Sequence, residues 1–254
     1  MLKHLPDGYT ALIVGGGGIA RALLRALSDD PRPGRLLLVT RHTPENDERG
    51  ALPEDPRLEI IETDVTHEAG LEILHEALGS QPVHLLFNTI GVLHQQQAGN
   101  SSLWPEKRLE ELSFNALMHS FHINAATAAM LLAILHENLM RHPVIVASLS
   151  ARVGSIGDNG FGGWYSYRAA KAAHNMLMKT AAIELSRRNH QAIVLCLHPG
   201  TTDTRLSQPF QTRVPAGKLF STDFVAERLL RVLDARTPED TGTFRDWNDQ
   251  PIEW

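Results

Sequence analysis

Thr10-Ala11-Leu12-Ile13-Val14-Gly15-Gly16-Gly17-Gly18-Ile19-Ala20-Arg21 decides the fold. Residues 10–14 form a compact, nearly continuous apolar run, the pattern of a strand buried on both faces of a parallel sheet. Four glycines follow at once, and an amphipathic helical stretch is predicted over 19–27. Read as G-x-G-x-x-A on Gly15, Gly17 and Ala20, the turn is tight enough for backbone N–H groups to approach an anion drawn to the positive end of the helix. A glycine run also serves as a plain turn. Its place between a first strand and a first helix favours the other reading, in which Gly15, Gly17, Gly18 and Ile19 cradle a dinucleotide pyrophosphate.

The rest of the chain repeats this unit. Compact apolar runs at 35–40, 58–62, 83–88, 144–148 and 192–197 predict five further strands, with a last short one over 243–247. Helical periodicity covers 68–78, 110–139, 167–188 and 222–233. Strands alternating with helices at this spacing predict an α/β fold, a single-domain Rossmann-type doubly wound parallel sheet flanked by helices, over residues 1–254. The stretches 44–56, 91–104, 152–164 and 201–221 read as irregular. The last three follow strand ends, where ligands of open α/β sheets bind, and 201–221 reads as a substrate loop.

Composition narrows the function classes. Among 254 residues, 24 Lys and Arg stand against 29 Asp and Glu, and no basic run interleaves with aromatics, so a nucleic-acid surface finds no support. The longest apolar run falls short of the roughly 20 residues of a membrane span. No secretion-type start is seen, and the single Cys196 excludes an internal disulfide; together they predict a cytoplasmic protein. The histidines form no zinc pattern, His119 and His122 reading as an ordinary surface or core pair, so no metal is expected. Cys196, in an apolar strand, reads as a buried inert thiol.

The second strand ends Val39-Thr40-Arg41, where an NAD site places an acidic residue on the ribose 2′-hydroxyl. Thr40 and Arg41 instead suit a 2′-phosphate, so NADP(H) is expected over NAD(H), with a solvated Arg41 as the alternative. After the third strand, Asp64-Val65 is placed to meet the adenine, and Asp64 is equally a natural N-cap of the next helix.

Tyr167-Arg168-Ala169-Ala170-Lys171 opens a helical segment. Residues four apart share a helix face, so hydroxyl and ammonium point into one space. A free tyrosine has a pKa of about 10. A neighbouring ammonium is expected to lower it, making Tyr167 a proton donor and acceptor near neutrality.

With these residues the chain resembles the short-chain dehydrogenase/reductase family, from about Thr10 to the C-terminus. The resemblance is carried by the glycine turn, Asp64-Val65-Thr66, Asn88-Thr89-Ile90-Gly91, Asn124, Ser150 before Gly154, the Tyr167/Lys171 pair and Pro199-Gly200. Within the family, Gly154-Ser155-Ile156, 162–168 and His198-Pro199-Gly200-Thr201-Thr202-Asp203-Thr204 resemble the subgroup around C-factor and sniffer-type carbonyl reductases. The resemblance implies an oxidoreductase moving a hydride between a nicotinamide and a small carbonyl or alcohol. Tyr167 would be its acid–base, Lys171 would bind the nicotinamide ribose, a serine would bind the substrate oxygen, and Asn124 would hold a water toward Lys171. Asn88, Gly91, Pro199, Gly200 and Thr202 would line the cofactor site, and a homodimer or homotetramer is expected.

Three positions depart from the family pattern. The glycine turn is one residue short, with Ala20 for its last glycine. Ala151 stands where a second serine is usual, leaving Ser150 favoured and Ser148 and Ser155 open. Tyr165 has Ala169 four residues on, cannot form the lysine pair, and is expected in the pocket wall with Trp104, Trp164, Phe210 and Phe220, which pack instead among themselves in the alternative reading. An NADP(H)-binding signalling or redox-sensing protein with little turnover is the second functional reading. A sensor has no need of a tuned tyrosine, so the intact Tyr167, Lys171 and Asn124 favour the enzyme.

Overall fold

The computed structural model describes residues 1–43, 51–95 and 103–254. Of the stretches expected to be irregular, 44–50 and 96–102 lie outside the described residues. The elements in chain order are β1 (Tyr9–Val14), α1 (Gly18–Ser28), β2 (Pro33–Thr40), β3 (Leu58–Glu62), α2 (Glu68–Leu78), β4 (Leu85–Asn88), α3 (Phe114–Phe121), α4 (Thr127–Ile134), β5 (Val144–Leu149), α5 (Tyr165–Arg188), β6 (Ala192–His198), β7 (Thr201–Thr202), β8 (Leu219–Phe220), α6 (Thr222–Asp234) and β9 (Thr243–Asp246). Seven strands form one sheet in the order β3-β2-β1-β4-β5-β6-β9, every neighbouring pair parallel. This is the doubly wound Rossmann-type sheet that the alternation predicts.

Alternation along each strand splits the apolar residues between two cores. Ala11 and Ile13 face α1 and α6, with Leu23, Leu27, Val225 and Leu229. Leu12 and Val14 face the opposite layer, with Leu74 of α2, Leu131 of α4 and Met178 and Leu185 of α5. Strands covered on both sides carry no polar face, which is why they read as continuous apolar runs.

Two elements differ from expectation. The helix expected over 110–139 is broken: a short 3-10 turn spans Leu109–Glu111, Ser113 caps α3 by accepting from the Ala116 amide at 3.2 Å, and a π-helical turn at His122–Ala126 joins α3 to α4. Periodicity cannot see a π turn, because one inserted residue shifts the face without removing a helical residue. The loop 201–221 is also more ordered than expected, holding β7, β8 and a 3-10 turn at Gln208–Arg213. The helical run Phe114–Ile134 is long and apolar enough to cross a membrane by length and composition. One side of it packs on α5 and buries Asn124, leaving Phe114, Met118 and Met130 exposed.

Candidate active site

The strand order reverses direction between β1 and β4, and the loops leaving those two strands part there. The resulting cleft, of about 1960 Å³, runs from the glycine turn to the loop 201–221.

At one end Gly15 sits at φ +115°, and a Cβ there would fall 2.4 Å from Thr89 Oγ1. Only glycine meets both constraints. Gly17 is the N-cap of α1, no side chain caps the helix, and its first turn holds no acidic residue. Gly15, Gly16, Gly17, Gly18 and Ile19 all line the cleft. The open amides at the start of an eleven-residue helix therefore fit a pyrophosphate. Arg41 lines the cleft at the end of β2, exposed and with no hydrogen bond among the described residues, while Thr40 is buried and its hydroxyl donates to the His42 carbonyl at 3.1 Å. Asp64 and Val65 also line the cleft. Asp64 is not the N-cap of α2, which is His67. Its Oδ1 instead accepts from the Thr66 amide at 3.0 Å and the Thr66 hydroxyl at 2.7 Å. Burial opposes its ionisation, but those bonds and the Arg41 charge outweigh it and hold the carboxyl below the usual range.

Gly91, Pro199, Gly200 and Thr202 line the floor, but Asn88 does not. Asn88 is buried beneath it, donating to Ser148 Oγ at 2.9 Å and accepting from the Ile90 amide at 3.1 Å, so it shapes the turn from below. Ser148 is thereby occupied. Ser155 accepts from the Asp158 amide, also away from the cleft. Of these three serines, Ser150 is the one that lines the cleft. Its hydroxyl donates to Asn175 Oδ1 at 2.6 Å, so that bond must be exchanged before Ser150 can donate to a group in the cleft. Asn175, which sequence reasoning missed, is oriented in turn by donating to the Gly154 carbonyl at 3.3 Å.

Tyr167 and Lys171 lie on the buried side of α5 and both reach the cleft. Lys171 Nζ donates to the Leu149 carbonyl at 2.9 Å and lies 5.9 Å from the centre of the Tyr167 ring. The expected lowering of the tyrosine is not found. Burial pushes the Tyr167 hydroxyl above its ordinary range, with no offset from Lys171, because the ammonium is turned to a carbonyl of the sheet. Burial also lowers Lys171, to about 8. Asn124 sits in the π turn with its side chain fully engaged, accepting from the Val92 amide at 2.9 Å and donating to the Val92 carbonyl at 2.8 Å.

An arc of rings walls the outer cleft. From Tyr167 it runs to Trp164 at 6.3 Å, to Phe210 at 5.2 Å, to Trp104 at 6.0 Å and to His94 at 5.4 Å between centres. His94 was not foreseen. Trp104, Trp164 and Phe210 thus do both things expected of them, packing together and facing the cleft. Tyr165 and Phe220 do not line it; Phe220 packs on Phe224 and Trp247 instead. Cys196 is buried and its thiol is pushed up to about 12 by burial, which makes it inert.

The sequence profile of the family described as short chain dehydrogenase matches residues 9–214. The chain belongs to that family. It is similar to the C-signal protein of Myxococcus xanthus, 33% identical over 178 residues, covering 68% of this chain and 93% of the relative. It is also similar to 1-hydroxy-2-glutathionyl-2-methyl-3-butene dehydrogenase of Rhodococcus sp. (strain AD45), 29% identical over 194 residues, covering 75% and 78%. Among solved structures, this short chain dehydrogenase shares its fold with the carbonyl reductase Sniffer of D. melanogaster, at TM-score 0.77 and 17% identity over 97% of this chain and 100% of that one. An NADPH-bound carbonyl reductase from chicken fatty liver gives TM-score 0.77 at 20% identity, covering 98% and 100%.

Buried His174 and half-buried His198, which lines the cleft, give a pH prediction. Burial lowers His174 to about 3 and His198 to about 4, from an ordinary 6.5, so both are neutral in the folded chain. Unfolded, each takes up a proton below about 6.5, so stability is complete above that pH and lost as pH falls toward 4. Urea denaturation is expected to show a free energy falling by up to about 1.4 kcal/mol per pH unit for each ring in that window. His198→Asn should remove one ring's share of the slope; an unchanged slope would refute the assignment.

Proposed function

We propose that the chain is an NADP(H)-dependent oxidoreductase of the cytoplasm that reduces carbonyl compounds with a flat apolar body. The observation that carries this reading is the Tyr167/Lys171 pair opening into the cleft that begins at the glycine turn. The relatives named dehydrogenase and carbonyl reductase support the reaction class. Gly15, Gly17, Gly18, Ile19, Arg41, Asp64, Val65 and Gly91 would hold NADP(H), which would supply the hydride. Arg41 would pair with the 2′-phosphate, and Pro199, Gly200 and Thr202 would flank the nicotinamide. Tyr167, protonated at neutral pH, would give its proton to the substrate oxygen in carbonyl reduction. Ser150 would hold that oxygen by turning its hydroxyl from Asn175 Oδ1 toward the cleft, and Lys171 would recharge Tyr167 by way of water at the Asn124 main chain. The ring arc selects the substrate body by stacking.

The deciding experiment follows NADPH oxidation with an aryl aldehyde such as 4-nitrobenzaldehyde against an alkyl aldehyde of equal size. The aryl compound should have the higher kcat/KM, and Tyr167→Phe should lower kcat by about 10²–10⁴-fold. The rate should hold to about pH 8 and fall above it as Lys171 loses its proton. Tight NADPH binding with no turnover of any carbonyl compound would favour the signalling reading that the C-signal likeness raises.

The cofactor assignment has its own test. Arg41→Ala should lower kcat/KM for NADPH by about 10–100-fold, the value of a lost charged hydrogen bond, and leave NADH within about twofold.

We also propose that two copies associate through the apolar side of α3, α4 and α5, where Phe114, Met118, Met130, Met176 and Ile183 are exposed on adjacent helices. Light scattering should give the mass of a dimer or tetramer, and Phe114→Glu with Met176→Glu should shift it to the monomer.

A further inference from the structure

The N-terminus of α5 is built in an unusual way. Its N-cap is Trp164, which has no capping side chain and lies in the left-handed region at φ 53° and ψ 40°. A bulky residue adopts that conformation only where its surroundings impose it. Gly162 and Gly163 before it are left-handed as well, at φ 64° and 66°. The chain therefore winds through three such residues directly before the turn that carries Tyr167.

Glu106 faces this turn from the loop before α3, and it is 3% exposed. Its Oε2 accepts from the Ser166 amide at 3.1 Å, and its Oε1 accepts from the Ser166 hydroxyl. Its main-chain carbonyl accepts from the Trp164 amide. One residue thus satisfies two amides at the start of α5 and sets a negative charge at the positive end of the helix. The connection continues inward: Ser120 Oγ donates to the Ser166 carbonyl at 3.2 Å and accepts from Asn124 Nδ2 at 3.2 Å. Glu106 lies between Trp104 and Lys107, which both line the cleft.

We propose that Glu106 is a positioning residue: its carboxylate caps α5 in place of the missing N-cap side chain and so fixes Trp164 and Tyr167 against the cleft. Only the kinetic part of its test depends on the function proposed above. A structural bystander would share its loss with the whole fold. A positioning cap acts on one turn, and on kcat before cofactor binding.

The test compares the full chain with Glu106→Ala, Glu106→Gln and Ser166→Ala. Amide hydrogen exchange over 164–170 is expected to rise about tenfold or more in Glu106→Ala, the scale of a lost charged hydrogen bond, with segments in β1, β5 and α6 unchanged. Glu106→Gln keeps an acceptor for the Ser166 amide and a polar partner for its hydroxyl, and should restore most of the protection. With NADPH and 4-nitrobenzaldehyde, Glu106→Ala should lower kcat by about 10–100-fold while the NADPH Kd stays within about twofold, and Glu106→Gln should recover most of the rate. If Glu106→Ala does not fold, Ser166→Ala, which removes a single bond, decides with the same pattern at smaller size. Unchanged exchange at 164–170, exchange raised evenly across all segments, or raised exchange with unaltered kcat would each overturn the proposal. A wild-type chain that reduces no aldehyde would count against the proposed function and leave the exchange result to decide the cap.

Discussion

Lys171 donates to the carbonyl of Leu149 at 2.9 Å, and this bond ties the long helix α5 to the last residue of β5. The neighbouring contacts reinforce it. Ser150, the residue after the strand, donates to Asn175, one turn beyond Lys171 on the same helix face. Gly154 comes so close that a Cβ there would stand 2.7 Å from Lys171 Cβ and 2.8 Å from its carbonyl carbon. The relation of Tyr167 to the end of the sheet follows from this seam, since Tyr167 is one turn before Lys171 on a rigid helix.

The same burial that fixes the pair sets its charge. Neither the hydroxyl nor the ammonium is well solvated, so each is pushed toward its neutral form: Tyr167 holds its proton more firmly and Lys171 less so. A lysine hydrogen-bonded to a main-chain carbonyl has already spent one donor, and its charge lies nearly 6 Å from the ring centre. This arrangement keeps Tyr167 protonated.

The strands, the glycine turn and the Tyr167/Lys171 face were legible because each depends on local pattern: apolar continuity, glycine where a Cβ cannot fit, and helical spacing. Asp64 was legible as a cleft residue but not as an Asx-type turn, since capping three residues later and bonding at once to Thr66 use the same residue type. Asn88, Ser148 and Ser150 are all polar residues at strand ends, and only the register of β4 against β5 shows that the first two satisfy each other while the third faces the cleft. Glu106 was invisible for a stronger reason. Its partner is sixty residues away, and Trp104-Pro105-Glu106-Lys107 reads as an ordinary polar loop.

Asn124 shows how a residue's identity and its chemical use can separate. Its amide forms a two-pronged pair with the backbone of Val92, and its Nδ2 also reaches Ser120, so the side chain has nothing left for the cleft. The demand on residue type here is structural: an Asn offers donor and acceptor at once, as the Val92 backbone requires. Whatever Asn124 contributes toward Lys171 must then come from its main chain, and the π turn at His122–Ala126 is the feature that alters the main-chain hydrogen bonding there. Glu106, Ser166 and Ser120 join that turn to the start of α5, so the two main-chain irregularities flanking the cleft, the π turn and left-handed Trp164, belong to one hydrogen-bonded chain.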